Sequence, residues 1–396
     1  MSITPVLLVS LLLHTLVGWR LAPDIAAWSH SLGMGLAVGL LLSALAMPAG
    51  FFARQLARPR LAQVLGWAGF VCMGLFSSLF VLTLLRELLL LAVGVAGWLL
   101  ATNPPTLAQL RTHSALAVPL VALVITAWGY VNARRTAAVV RVEVPIAGLD
   151  DALHGFTVAQ ISDIHVGPTI RSRYLRHIVA KVNGLGADLV AITGDLVDGS
   201  VRDLGRHVAP LQDLVSTHGT FFVTGNHEYY SGVDGWTAAL RGLGIQVLMN
   251  EHVVIHHGGG PLHASGAAMV VAGVTDFNAH HFDKSHQSDP HLALADAPGH
   301  AVFKLLLAHQ PRSAPAAAQA GFDLQLSGHT HGGQFWPWNH FVPLQQPFTA
   351  GLHRLQALWV YTSRGTGYWG PPKRFGAPSE ITHLRLVRAT PSVWTT

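Results

Sequence analysis

The chain has 396 residues, half of them hydrophobic and only 11% charged, which is too apolar for one ordinary soluble domain. Its formal charge of +5 would suit a nucleic-acid binder, but residues 1–132 carry six Arg against two acids, so the remainder holds a net +1 and no phosphate-tracking groove is expected. The single cysteine, Cys72, excludes an intrachain disulfide.

Four apolar runs, near residues 4–21, 31–52, 62–85 and 114–132, are long enough to cross a hydrocarbon core, which takes roughly 20 helical residues. Residues 1–132 therefore read as a membrane region of about four transmembrane helices. The first run lacks a basic leader and a small-residue cleavage site, so it reads as a helix that stays. Leu88 to Leu100 is apolar but short, and follows Arg86-Glu87. It either extends the third helix or forms an interfacial or re-entrant piece; a fifth crossing would invert everything after it. Gly33, Gly35 and Gly39, and Gly66, Gly69 and Gly74, have spacings that suit close helix contact. Arg54, Arg58 and Arg60 follow the second run, and Arg134, Arg135 and Arg141 follow the fourth. With four spans both sets lie on one side, and the positive-inside rule then puts the polar part of the chain in the cytoplasm, with a bacterial inner membrane as the expected location. Residues 133–149 read as a juxtamembrane linker.

From residue 150 the pattern changes to short apolar runs that alternate with helical periods. FTVAQISDIH, ADLVAITGDLVD, GTFFVTGNHE, FKLLLAHQP and FDLQLSGHTH read as strands, and YLRHIVAKVN and Ala-rich 314–320 as helices. Strand and helix in alternation predict an α/β domain over 150–388 with a short tail, 389–396. Each of the five strands ends in a polar cluster, where open α/β sheets place their ligands. The clusters are Asp163-Ile164-His165, Gly194-Asp195-Leu196-Val197-Asp198, Gly225-Asn226-His227-Glu228, His309, and Gly328-His329-Thr330-His331. Two histidines one residue apart cannot share a helix face, but in a glycine-flanked turn they can serve one centre. Carboxylates, an amide and imidazoles suit Mn, Fe or Zn better than a sulfur-loving ion.

This ordered set, D-x-H, G-D-x-x-D, G-N-H-E, a lone His and G-H-T-H, resembles the calcineurin-like metallophosphoesterase superfamily. The longer matches ISDIHVG, ITGDLVDG, FFVTGNHEYYSG, LSGHTHGGQ and SRGTGYWGPPKRFGAPSEIT resemble its bacterial YkuE-like branch. The resemblance covers about residues 150–388 and implies a two-sheet α/β/β/α sandwich behind the all-α transmembrane region. It implies two divalent metal ions: Asp163, His165 and His331 on the first, Asn226, His309 and His329 on the second, and Asp195 bridging them. His227 would protonate the leaving oxygen, with hydroxide held between the ions attacking phosphorus. Asp198 and Glu228 are candidates for orienting the imidazoles, and Arg364 for steadying a phosphate oxygen.

The substrate expected from this reading is a phosphodiester, pyrophosphate or phosphomonoester, with lipid-linked phosphates suggested by the membrane tether. A catalytically inactive metal-binding or sensing module is the alternative. The helices hold few ionisable groups besides His14 and Arg86-Glu87, which argues against an ion pathway. His252, His256, His257, His263, His280, His281 and His286 lack ligand spacing and read as a solvated region. The aromatic stretch Phe335-Trp336-Pro337-Trp338-Asn339-His340-Phe341 and the pair Tyr368-Trp369 either pack their loops or meet a headgroup layer.

Overall fold

The computed structural model describes residues 3–53, 58–100, 106–258 and 266–389. The chain divides into two units, Met1–Arg134 with Gly370–Phe375, and Arg135–Trp369 with Gly376–Thr396. Arg54, His263 and residues 390–396 of the tail lie outside the described residues.

The first unit contains α1 (Ile3–Ala26), α2 (His30–Phe52), α3 (Pro59–Leu99) and α4 (Thr106–Arg134), each long and apolar enough to cross a membrane. Leu88–Leu99 continues α3 without a break, and among the described residues there is no fifth long apolar helix. With 41 residues, α3 is roughly 60 Å long, about twice the thickness of a hydrocarbon core. The apolar pattern marks only the part of a helix that faces lipid, which is why α4 begins with the polar turn TLAQLRTHS ahead of the expected span. Val17, Leu21, Leu40, Phe76, Leu79, Val118 and Ala122 fill the space between the helices. Some of the glycines set the closest approaches. A Cβ on Gly33 would lie 2.7 Å from Ala26 Cβ, and one on Gly69 would lie 2.6 Å from Ala46 O, whereas Gly35 and Gly39 face open space.

Arg20, Asp24, Arg86 and Glu87 form one paired group. Arg86, whose side chain is 2% exposed, donates from Nε to Ser114 Oγ (3.0 Å), from Nη1 to Glu87 Oε1 (2.5 Å) and from Nη2 to Asp24 and to Arg111 O (2.9 Å). Arg20 closes the group on Glu87. His14 is buried between Ser10 O (2.7 Å) and Ser43 Oγ (3.0 Å) and stacks on Phe76. The hexapeptide Gly370–Phe375 is the part of this unit that sequence order conceals. Lys373 Nζ donates to Gly74 O (2.7 Å) and Ser78 Oγ (2.5 Å), and Arg374 N donates to Gly129 O (2.9 Å). A side chain on Gly129 would meet Lys373 Cγ at 2.7 Å.

The second unit has, in chain order, β1 (Ala138–Ile146), β2 (Thr157–Ile161), α5 (Ser172–Asn183), β3 (Leu189–Ile192), α6 (Val201–Val208), β4 (Thr220–Phe222), α7 (Asn226–Ser231), α8 (Val233–Gly242), β5 (Gln246–Val247), β6 (Glu251–His257), β7 (Ala267–Gly273), α9 (Pro290–Ala293), β8 (Phe303–Leu307), α10 (Ala314–Ala320), β9 (Leu324–Ser327), β10 (Gly351–Leu355), β11 (Leu358–Thr362) and β12 (Glu380–Arg388). They form two six-stranded mixed sheets, β1-β12-β2-β3-β4-β5 and β10-β11-β9-β8-β7-β6. The sheets face each other across Val158, Leu189, Phe221, Met269, Leu305, Leu324 and Leu384, all fully buried or nearly so. The far side of the second sheet is covered by α9 and α10 through Val270, Leu306, Ala293 and Ala317. In α5 the buried residues Tyr174, Leu175, Ile178, Val179 and Val182 recur at helical spacing, giving it one apolar face.

The five expected strands are β2, β3, β4, β8 and β9, and the two expected helices are α5 and α10. Seven strands, β1, β5, β6, β7, β10, β11 and β12, are absent from the sequence reading, and two of them show why. Residues 138–146, within the expected linker, form β1, which pairs in parallel with β12. The run AAMVVAG forms β7, buried at every position; its small residues and glycine flanks mask a strand that lies between β6 and β8.

Candidate metal centre

The loops that follow β2, β3, β4, β8 and β9 converge at one end of the two sheets. After β2 comes Asp163-Ile164-His165, after β3 Gly194-Asp195, after β4 Gly225-Asn226-His227, after β8 His309, and after β9 Gly328-His329-Thr330-His331. Asp163 (φ 52°), His165 (55°), Asp195 (51°), His329 (68°) and His331 (52°) all adopt the left-handed backbone, a conformation that costs a non-glycine residue about 1–3 kcal/mol. It turns each side chain back over its strand end. Asp163 N bonds Gly194 O, and His165 N bonds Asp195 O, so neighbouring loops hold one another in this state. The glycines leave room for the carboxylates: a Cβ on Gly328 would fall 2.1 Å from Asp163 Oδ2, and one on Gly225 would fall 2.2 Å from Asp195 Oδ1.

Ligand atoms of Asp163, His165 and His331 lie within 4.8 Å of one another, as do those of Asp195, His309 and His329, and those of His165, Asp195 and His227. These are the only such groupings among the described residues. His309 Nδ1 sits 2.7 Å from Thr193 O, so that nitrogen carries the proton and Nε2 turns to Asp195 Oδ2 at 3.2 Å. His165 Nδ1 is held by Asp198 Oδ1 (3.2 Å), which turns its Nε2 toward His331 Nε2 at 3.0 Å. His329 Nδ1 faces His309 Nε2 at 3.2 Å. Neutral imidazole lone pairs at such distances repel unless a proton or cation lies between them. Asn226 Oδ1 is buried without a hydrogen-bond partner, an arrangement that is costly for an amide oxygen unless a ligand completes it. Oxygen and nitrogen donors, facing ring nitrogens and an orphaned amide oxygen together fit a pair of divalent cations.

The electrostatics agree with a centre that favours positive charge. Burial would raise the Asp195 carboxyl, but His309, His227 and His165 hold it well below the usual carboxylate range. Burial would lower His309, yet Asp195 and Asp163 keep its imidazole well above its usual value. Burial and the neighbouring His309 push His329 down to about 3.

Asp198 and Glu228 do different work. Asp198 Oδ1 accepts from His165 Nδ1 and from His227 Nδ1 (2.6 Å), linking a candidate ligand to the imidazole expected to act as acid. His227 would fall on burial, but Asp195 and the bond to Asp198 raise it to about 9. Glu228 is fully buried and accepts backbone N–H groups from Asp195 (3.0 Å), Leu196 (2.8 Å), Val197 (3.3 Å) and Gly225 (2.7 Å). It ties the β3 loop to the start of α7, although burial and Asp195 push its carboxyl up to about 8. Arg364 is ion-paired with Glu380 (3.0 Å), and its Cγ would touch a side chain on Gly332, beside His331.

Asp276, absent from the sequence reading, is fully buried after β7 and accepts from Gln310 Nε2 (2.9 Å), next to His309. An apolar run ending in acid, VVAGVTD, is the signal that could have found it. Of the remaining histidines that are described, His252 is bonded to Ala293 O, His286 to Tyr229, and His257 to His218. In the aromatic stretch Phe335 is buried, while Trp338 and Phe341 pair with each other and stay part exposed.

A family model described as calcineurin-like phosphoesterase matches residues 156–333. The chain is 42% identical to a bovine "Transmembrane protein with metallophosphoesterase domain" over 71% of its own length and 64% of the relative's. It thus spans less than two thirds of that protein. It is 30% identical to an "Uncharacterized metallophosphoesterase" from Aquifex aeolicus over 58% of its length and 84% of the relative's. With the "Uncharacterized metallophosphoesterase YkuE" from Bacillus subtilis it shares 28% identity over 59% of its length and 79% of the relative's.

Proposed function

The chain belongs to the calcineurin-like metallophosphoesterase family, and on that premise we propose that it is a membrane-anchored, dinuclear metal-dependent phosphoesterase. One observation carries the reading: two sets of three candidate ligands, Asp163/His165/His331 and Asp195/His309/His329, meet beside an imidazole, His227, whose Nδ1 is held by the Asp198 carboxylate. In this reading Asp195 bridges the two sets and Asn226 completes the second. Two divalent ions, of Mn, Fe or Zn by the donor chemistry, supply neutralisation of the phosphoryl oxygens and a water that ionises near pH 7.

The protein's own groups do the rest. His227 Nδ1 is fixed on Asp198, so Nε2, which lies 3.9 Å from Asp195 Oδ2, is the nitrogen directed at the substrate. It gives its proton to the departing oxygen, a contribution of typically 10²–10⁴-fold. Asp198 keeps the tautomer through the transfer and stabilises the charged ring. Arg364, steadied by Glu380, contacts a phosphoryl oxygen. Substrates are phosphodiesters, pyrophosphates or phosphomonoesters, and the helical anchor favours those that reside at a bilayer.

In sequence Arg58 and Arg60 stand at the start of the third helix and Arg134, Arg135 and Arg141 end or follow the fourth, whereas the other face is left with Arg20, Arg86 and Arg111, which pair with Glu87 and Asp24. That asymmetry supports a cytoplasmic catalytic unit. The test is hydrolysis of a chromogenic phosphodiester and monoester by the full chain in nanodiscs with Mn²⁺ titrated in, beside Asp195→Asn. Metal-dependent turnover that disappears in the variant is expected. A protein that binds two ions yet leaves these and lipid-linked phosphates intact is instead a metal-binding or sensing module.

A further inference from the structure

Two aromatic rings flank His227, and a third adjoins one of them. Tyr230 packs edge-on to the His227 ring with centroids 5.3 Å apart, and Trp369 does the same at 5.9 Å. Phe282 continues the surface, 5.4 Å from Tyr230. All three remain open to solvent, at 64%, 45% and 50% exposure for Tyr230, Trp369 and Phe282. Exposed rings are usually mobile or incidental, but two of these are fastened from behind. Phe282 rests on buried Tyr229 at 5.4 Å, whose hydroxyl lies 3.2 Å from His286 Nδ1. The backbone of Trp369 is clamped twice by Gln334, which accepts the Trp369 N–H (2.9 Å) and donates Nε2 to the Trp369 carbonyl (2.9 Å). Gln334 is the third residue after His331, so one loop sets both a candidate ligand and this ring.

The place of the rings decides what they meet. A proton leaving His227 goes to the oxygen that departs, so the group carried by that oxygen must pass His227 on its way out of the centre. Tyr230 and Trp369 are the rings that border His227 on that path. We propose that Tyr230, Phe282 and Trp369 form a leaving-group subsite that selects phosphoesters whose departing oxygen bears an apolar chain. This rests on the phosphoesterase reading and deepens it: apolar contact on the leaving-group side, not only the membrane anchor, would bring lipid-like esters to the centre. Aromatic faces and edges take alkyl chains without needing a hydrogen-bond partner, and the gain scales with the apolar area covered.

The test uses n-alkylphosphonates from ethyl to hexyl, in which a stable P–C bond puts the chain on the leaving-group side. Their binding to the full, Mn²⁺-loaded protein in nanodiscs is measured by calorimetry, with empty nanodiscs subtracted. Wild type should gain affinity by about twofold per methylene, less than the fourfold of complete burial because the rings are half exposed. Trp369→Ala and Tyr230→Ala should flatten the series to less than about twofold from ethyl to hexyl, and Trp369→Phe should keep it. A flat series in wild type, absent binding, or a slope that survives both alanine variants overturns the proposal. Turnover of the chromogenic esters in the same preparations keeps the two readings separate. Turnover with a flat series removes the subsite alone, and a steep series without turnover leaves an apolar binding site but overturns both the phosphoesterase reading and the leaving-group role that rests on it.

Discussion

The backbone at the candidate metal centre is strained, and the strain is where the side chains are aimed. Asp163, His165, Asp195, His329 and His331 each hold a positive φ, and the glycines beside them leave spaces that no β-carbon fits. Gly328 is the sharpest case, since a methyl there would sit 2.1 Å from both Asp163 Oδ2 and Ser162 Oγ. The strands packed around it fix the backbone, so the carboxylate must move. Gly328→Ala is therefore expected to lower bound Mn from two ions to one or none per chain by elemental analysis, with far-UV circular dichroism unchanged. Retention of both ions would show that Asp163 is not a ligand or can turn away without loss. The acid–base pair gives a second residue-level expectation. Asp198→Ala removes the partner of His227 Nδ1, which frees the ring to rotate and drops its affinity for the proton. Hydrolysis of alkyl esters, whose oxygen departs as a poor leaving group, should fall by about 10²-fold or more, and that of nitrophenyl esters should fall far less. An equal loss on both classes would assign Asp198 to metal binding rather than proton transfer.

At the scale of elements, the strands that end in ligands were readable because each pairs a dense apolar run with a polar cluster, as in TVAQI before Ser162-Asp163. The strands without such endings were not. β6 is half-buried along most of its length and carries three histidines, so it does not stand out as a core strand; β7 is the exception, an apolar run that does end in Thr275-Asp276 and could have been read. β1 and β12 define each other by pairing across more than 200 residues, which no local window contains. Two of the three histidines of β6 have structural partners: His252 lies 2.9 Å from Ala293 O, and His257 lies 3.0 Å from His218, ahead of β4, with Phe156 against both rings of that pair. Burial, and then His257, lower the pKa of His218 below 6.5. The unfolded chain therefore binds this proton more readily than the folded one. Stability from this pair is complete above about pH 6.5 and declines as pH falls below it. Comparing urea midpoints of wild type and His218→Gln at pH 7.5 and 5.5 checks the sign. The variant should lose less stability on acidification, and parallel losses would dismiss the pair as a source of acid sensitivity.

For the molecule as a whole, sequence order and structural units part company at one place. A boundary near residue 132 divides apolar from polar sequence, but Gly370–Phe375, in the middle of the polar part, belongs to the helical unit. Nothing in PPKRF announces this, because two adjacent cations read as surface. In the structure Lys373 is 1% exposed and Arg374 fully buried, and both are held by groups of α3 and α4. A buried cation is tolerable only with its partners in place. Cutting the chain at residue 133 removes Gly74, Ser78 and Gly129 together, and the hexapeptide must then enter water. Trypsin reports this directly, since it cleaves after Lys and Arg only where the backbone is accessible. Mild digestion of the full chain in nanodiscs is expected to spare the bonds after Lys373 and Arg374, whereas residues 133–396 expressed alone should be cut there first. Both fragments of that cut would be recognisable by mass. Protection of these bonds in the truncated chain would mean that the hexapeptide is fixed without the helices, and Gly129→Leu in the full chain offers an independent check. Its side chain would collide with Lys373 at 2.7 Å, and trypsin should then open the same two bonds while the helices remain.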